Sequence, residues 1–178
     1  PAHEAHRHIS LVALRRLKLD AVWWLVSPQN PLKSEAGMAP LAKRLERARE
    51  VAQHPDIFAS AIETALGTRF TADTIAALKR DLPRARFVWL MGGDNLATFH
   101  TWQRWKAIAR MVPIAVIARP GFTIKALGSP AGQHLRAARL PAPDASKLAD
   151  AKPPAWVFIR ERLDPTSATE LRKRGLWR

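Results

Sequence analysis

The sequence predicts a three-layer α/β fold, with a central parallel sheet and helices on both faces, and three observations carry that expectation. Short continuous apolar runs of strand length alternate with segments whose apolar residues recur at helical spacing. Most of these runs are stopped by Pro or Gly, as strands that end in loops are. The 178 residues, 47% of them hydrophobic, suffice for one sizeable core and fall short of two full domains. With no internal repeat and no dividing linker, residues 1–178 are expected to form a single domain.

The elements follow in order. From Glu4 to about Leu19, Ile9, Val12, Ala13 and Leu17 are spaced for one buried helical face. Ala21-Val22-Trp23-Trp24-Leu25-Val26 is a buried strand, stopped by Ser27-Pro28-Gln29-Asn30-Pro31. Leu41, Leu45, Ala48 and Ala52 mark an amphipathic helix that ends before His54-Pro55. A second strand spans Ile57 to Ile62, and Thr71-Ala72-Asp73 opens a helix running to about Asp81. Arg86 to Met91 reads as a third strand closed by Gly92-Gly93, and a helix around Trp102 to Arg110 leads to a fourth strand, Val112 to Ala118, stopped by Pro120-Gly121. Residues 122–154, rich in Ala and Pro and without periodicity, predict an irregular connection with one short helix near Gln133 to Ala138. Trp156 to Ile159 is a last strand, and Ser167 to Lys173 a last helix ended by Gly175.

Composition bounds the partners. The 29 Lys+Arg residues against 15 Asp+Glu give a net charge of +14, whose field attracts nucleotides, pyrophosphate or nucleic acid. The basic residues are scattered, as a merely solvated Arg-rich surface would also have them. No stripe of alternating basic and aromatic residues marks a nucleic-acid-binding module. The absence of cysteine excludes disulfides and thiolate metal sites. No apolar run approaches the roughly 18 residues of a membrane span, and no leader pattern is present, so a cytoplasmic protein without a membrane partner is expected.

Ligands of such sheets bind beyond the carboxyl ends of the strands, so site residues belong in the loops there. Three regions hold unusual polar sets: His3-Glu4-Ala5-His6; Gly92-Gly93-Asp94 with Trp102; and Thr166-Ser167-Ala168-Thr169-Glu170-Leu171-Arg172. The histidine pair superficially matches H-E-x-x-H, but position 7 is Arg and no third ligand is evident, so no metal held by protein residues is expected. Each set also has a plain structural reading. One histidine can be a surface residue of the first turn, Asp94 a helix cap, Trp102 a core side chain, and Lys33 an isolated loop cation. Ser167 and Glu170 fit a capping box, with Arg172 as a solvated cation.

Taken in register, these sets resemble the nucleotidyltransferase superfamily, with its H-x-G-H turn at the first helix and its S-S/T-x-x-R motif opening a late helix. More closely they resemble the bacterial nicotinate mononucleotide adenylyltransferases, where a G-x-D is followed by Trp at the spacing of Asp94 and Trp102. Asn30-Pro31-Leu32-Lys33 is similar to that family's N-x-P-x-K loop, and Phe70-Thr71-Ala72-Asp73-Thr74 to its Y-T-x-x-T segment. The resemblance covers nearly the whole chain. It implies a Rossmann-like fold and AMP transfer from ATP to nicotinate mononucleotide, giving nicotinate adenine dinucleotide and pyrophosphate, with Mg²⁺ bound mainly through the ATP phosphates. By the same resemblance His3, His6 and Arg172 are catalytic; His3, His6, Asp94, Ser167, Thr169 and Arg172 bind ATP; and Lys33, Thr71 and Trp102 bind the mononucleotide, Trp102 by stacking on the pyridine ring. It leaves open the nicotinate or nicotinamide preference, and a phosphopantetheine-type adenylyltransferase or a non-catalytic nucleic-acid-binding protein stands as the alternative. The family's glycine-rich turn before the histidines survives only as Pro1, so the first, central strand is expected to be missing from the chain. Ala5 stands where the motif has Gly, and Ala168 where it often has Ser.

Overall fold

Strands and helices alternate in the folded chain as the apolar pattern predicts. The computed structural model describes residues 2–28 and 39–161. Helix α1 (Glu4–Leu17) leads into strand β1 (Val22–Leu25); α2 (Leu41–Ala52) leads into β2 (Ile57–Ser60). Helices α3 (Ile62–Leu66) and α4 (Thr71–Asp81) precede β3 (Trp89–Gly92), and α5 (Gly93–Thr98) and α6 (Trp105–Met111) precede β4 (Ile114–Ile117). Then come α7 (Thr123–Leu127), α8 (Pro130–His134), β5 (Arg139–Leu140) and β6 (Trp156–Ile159).

Every strand pairing is parallel. Strand β1 pairs with β2 in a two-stranded sheet, and a four-stranded sheet has the order β3-β4-β6-β5. No pairing joins the two sheets among the described residues. Both sheets nevertheless share one core face, on which Val22 and Ile57 cluster with Ala115, Ile117, Val157 and Ile159 beneath Val12, Ala13 and Leu17 of α1. Alternate residues of the same strands, Ile114, Val116, Trp156 and Phe158, point the other way, into a cluster with Ile75, Leu96, Phe99 and Ile108. That alternation is the strand period of two. It makes β4 and β6 buried on both faces, which is why they read as unbroken apolar runs.

The glycine pair closes the third strand as expected: Gly92 ends β3 and Gly93 is the first residue of α5. The sequence is misleading in two places. Trp102 does not lie in a helix but between a 3₁₀ turn, Phe99–Thr101, and the start of α6. Residues 122–154 are not irregular. They fold into α7, α8, β5 and a 3₁₀ stretch at Ala142–Asp150, elements of which the helices are too short to show a period. Ser129 caps α8 by accepting from Gly132 N–H, ahead of Pro130 at the first helical position. The predicted helix at Ser167 to Lys173 lies outside the described residues.

Candidate active site

His3 is the N-cap residue of α1, with an extended backbone (φ −153°, ψ 170°), and is buried. His6 stands one turn later, its ring centroid 4.1 Å from that of His3. The His3 backbone N–H donates to His6 Nδ1 at 3.3 Å, which leaves the proton of a neutral imidazole on Nε2 and makes that atom a donor. Below it, the Trp24 indole N–H donates to Ser10 Oγ at 2.7 Å, and Ser10 Oγ donates to the His6 carbonyl at 2.9 Å. This chain ties the first turn of α1 to the carboxyl end of β1. Trp24 also meets the His6 ring edge-on at 6.0 Å.

Desolvation by the surrounding protein pushes the His6 pKa down, helped by the positive charge on Arg119. The hydrogen bond from His3 and the Asp94 carboxylate oppose it, and the result is about 4. His6 as a whole is solvent-exposed, so water counters part of the desolvation. The direction is what the geometry supports: a neutral imidazole at physiological pH. Because Arg119 and Asp94 both act on His6, the start of α1 and the ends of β3 and β4 converge.

Asp94 sits in the first turn of α5, immediately beyond β3. Its Oδ2 accepts from Arg119 Nη1 at 3.0 Å, while Oδ1 is buried with no hydrogen-bond partner among the described residues. Gly92 makes this possible. A Cβ there would lie 2.4 Å from Asp94 Oδ1 and 2.9 Å from Arg119 Cδ, closer than real contacts allow.

Thr71 opens α4, whose first N–H groups have no intrahelical partner. Trp102 is half-buried, edge-on to Phe99 at 5.4 Å and to Trp89 at 6.4 Å. An ion pair between Asp73 and Arg104 ties the first turn of α4 to the segment carrying Trp102, so these two predicted residues are brought near each other. Behind Thr71, the buried Glu63 carboxylate accepts from Thr74 Oγ1 at 3.3 Å and steadies the same turn.

Lys33, Ser167, Thr169 and Arg172 lie outside the described residues. Arg44 donates to the carbonyls of Ser27, Pro28 and Ala39, tying together the described residues on either side of positions 29–38. Ala5 is 2% exposed, so its methyl is packed within protein. Sequence reasoning missed Arg119 and the Ser10–Trp24 relay. The signal for Arg119 was its position, the first charged residue beyond the fourth strand.

Chemically, the arrangement offers neutral N–H donors, a helix start and a cation–carboxylate pair at the carboxyl edge of a parallel sheet, a combination suited to holding phosphate and ribose groups. Comparison with known proteins places it in a class. The chain belongs to the cytidylyltransferase-like family, whose model matches residues 1–174. A probable nicotinate-nucleotide adenylyltransferase from Cereibacter sphaeroides is 49% identical over 178 residues, covering 100% of this chain and 94% of the relative. The corresponding proteins of Bradyrhizobium sp. and Parvibaculum lavamentivorans are 52% and 53% identical, over 100% and 99% of this chain and 93% and 88% of their own. Among solved structures, the fold is similar to Plasmodium falciparum nicotinic acid mononucleotide adenylyltransferase complexed with APC, at a TM-score of 0.62 and 15% identity, over 97% of this chain and 77% of that one.

Proposed function

We propose that the chain is a nicotinate-nucleotide adenylyltransferase, transferring AMP from MgATP to nicotinate mononucleotide. The observation that carries the reading is the convergence of His6, Asp94 and Arg119 at the carboxyl edge of the sheet, in a chain about half identical to relatives bearing that name. An oxygen of the mononucleotide phosphate attacks the α-phosphorus of ATP. The new P–O bond forms as the bond to the β-phosphate oxygen breaks, and pyrophosphate leaves with its electron pair. The nucleophile is already ionised at neutral pH, so no general base is needed, and the enzyme's work is alignment and charge stabilisation.

In this reading His6 Nε2–H donates to a phosphate oxygen of ATP, with His3 shaping the turn beside it, and Asp94 accepts from ribose hydroxyls. Thr71 presents backbone N–H groups to the pyridine carboxylate and Trp102 stacks on the ring. Lys33, Ser167, Thr169 and Arg172 complete the phosphate contacts. In this reading Mg²⁺ arrives on ATP, held mainly through the phosphates. No helix of the described residues is long and apolar enough to cross a membrane, and we take the enzyme to work in the cytoplasm. The test mixes the full-length protein with ATP, Mg²⁺ and nicotinate mononucleotide and follows pyrophosphate and the dinucleotide. Stoichiometric release of both is expected; absence of product with the nicotinate and nicotinamide forms alike refutes the assignment.

A further inference from the structure

We propose that Arg119 is a positioning residue for nucleotide binding: it grips Asp94 through Oδ2 and so presents Oδ1 as the acceptor for a substrate hydroxyl. The proposal rests on the adenylyltransferase reading and deepens it.

Asp94 and Arg119 come from different strand ends, β3 and β4, and meet at 3.0 Å with side chains only 31% and 20% exposed. One carboxylate oxygen is therefore committed to a charge-assisted bond, which is short and directional. The other is buried and has no protein donor among the described residues. A buried carboxylate oxygen left unpaired costs free energy, and a structure keeps such an atom where a ligand will pair it. The surroundings hold it in that state. Gly92 leaves just enough room, since a Cβ would lie 2.4 Å from Oδ1, and Gly93 lies against the Arg119 backbone, where a Cβ would be 3.5 Å from its N. The carboxylate cannot rotate without losing Arg119, and the Arg119 side chain runs past Gly92, so the bond fixes the rotamer of Asp94.

The same cation stands near His6 and disfavours a second positive charge there. Arg119 thus tunes two groups while its contact with Asp94 does the orienting.

A double-mutant cycle tests this. Arg119→Gln, Asp94→Asn and the double variant of the full-length protein are titrated with ATP by calorimetry, and kcat and KM are measured alongside thermal unfolding. Because Arg119 acts through Asp94, each single variant should weaken ATP binding about tenfold or more, the size of a lost charge-assisted bond. The double variant should be no more than about threefold weaker than Asp94→Asn alone. Arg119→Lys, which keeps the charge, should recover part of the affinity, and Asp94→Glu should not. Independent multiplication of the two penalties overturns the proposal, as does an Arg119→Gln protein with wild-type affinity. Loss of unfolding temperature in proportion to affinity would make the role structural and also overturns it. A wild-type protein that binds ATP but makes no dinucleotide sinks the activity and leaves this cycle readable; one that binds no ATP overturns both.

Discussion

Replacing Gly92 by Ala separates folding from function at this site. The Gly92 backbone has φ −79° and ψ 161°, values any residue adopts, so Ala introduces no backbone strain. It also lowers the entropy of the unfolded chain, a stabilising effect of about 0.4–1 kcal/mol. Against this, the new Cβ would stand 2.4 Å from Asp94 Oδ1 and 2.9 Å from Arg119 Cδ. The carboxylate must rotate away and surrender its bond to Arg119. Both side chains keep some exposure, 31% and 20%, so water takes up the freed groups and the stability loss is screened. The two effects nearly cancel, and the unfolding temperature should move by no more than a few degrees. Binding has no such compensation. An acceptor swung off its hydroxyl forfeits about 1.5–3 kcal/mol, on the order of a ten- to hundredfold rise in the KM for ATP. Steady-state pyrophosphate release with ATP varied, next to thermal unfolding of the free protein, gives both numbers. A Gly92→Ala enzyme with unchanged KM refutes the account of Gly92 as the space that holds Asp94 in place.

Two further outcomes follow. Trp102→Ala should raise the KM for the mononucleotide several-fold to about tenfold, as the loss of one aromatic stacking contact predicts, while leaving that for ATP within about twofold. Trp102→Phe should recover part of it, and an unchanged mononucleotide KM in the alanine variant rules out the stacking role. His6, depressed from 6.5 to about 4, is neutral in both folded and unfolded chains at neutral pH. Between those values the unfolded chain binds a proton that the folded one refuses, so stability falls as pH drops through that window and the loss is complete below it. Thermal unfolding of wild type against His6→Gln at pH 7 and pH 5 measures this: the difference between them should shift in favour of the glutamine variant at the lower pH, and a constant difference contradicts the depressed pKa.

Local features were legible in the sequence, and tertiary ones were not. The apolar runs at Ile114–Ile117 and Trp156–Ile159 gave away buried parallel strands because both faces of each are covered. His3, His6, Asp94 and Thr71 were readable as candidates because each lies at an element's start, where side chains and free N–H groups are available together. Arg119 was not, since its meaning depends on a partner 25 residues away on a neighbouring strand end. Ser10 looked like an ordinary helix residue until Trp24 was found donating to it. The failure over residues 122–154 has a different cause. Five-residue helices such as α7 and α8 complete little more than one turn, so no amphipathic stripe can develop, and their positions are set by Ser129 capping and contact with α5.

The electrostatic layout divides the work at the proposed site. A protonated His6 would place a second positive charge near Arg119, and the structure disfavours that by desolvating the ring, bonding its Nδ1 to a backbone N–H and leaving only Nε2–H to act. Arg119, in turn, is neutralised locally by Asp94, so its charge is spent on orientation. Neither group therefore supplies much net positive charge to a triphosphate. The attraction must come from the +14 field of the whole chain and, in the proposed roles, from cations such as Lys33 and Arg172. Alignment is then set by neutral, fixed donors and affinity by more distant charge. This predicts that salt weakens ATP binding far more than it changes the rate of the bound complex, since screening acts on the exposed charges and spares the short contacts at His6 and Asp94.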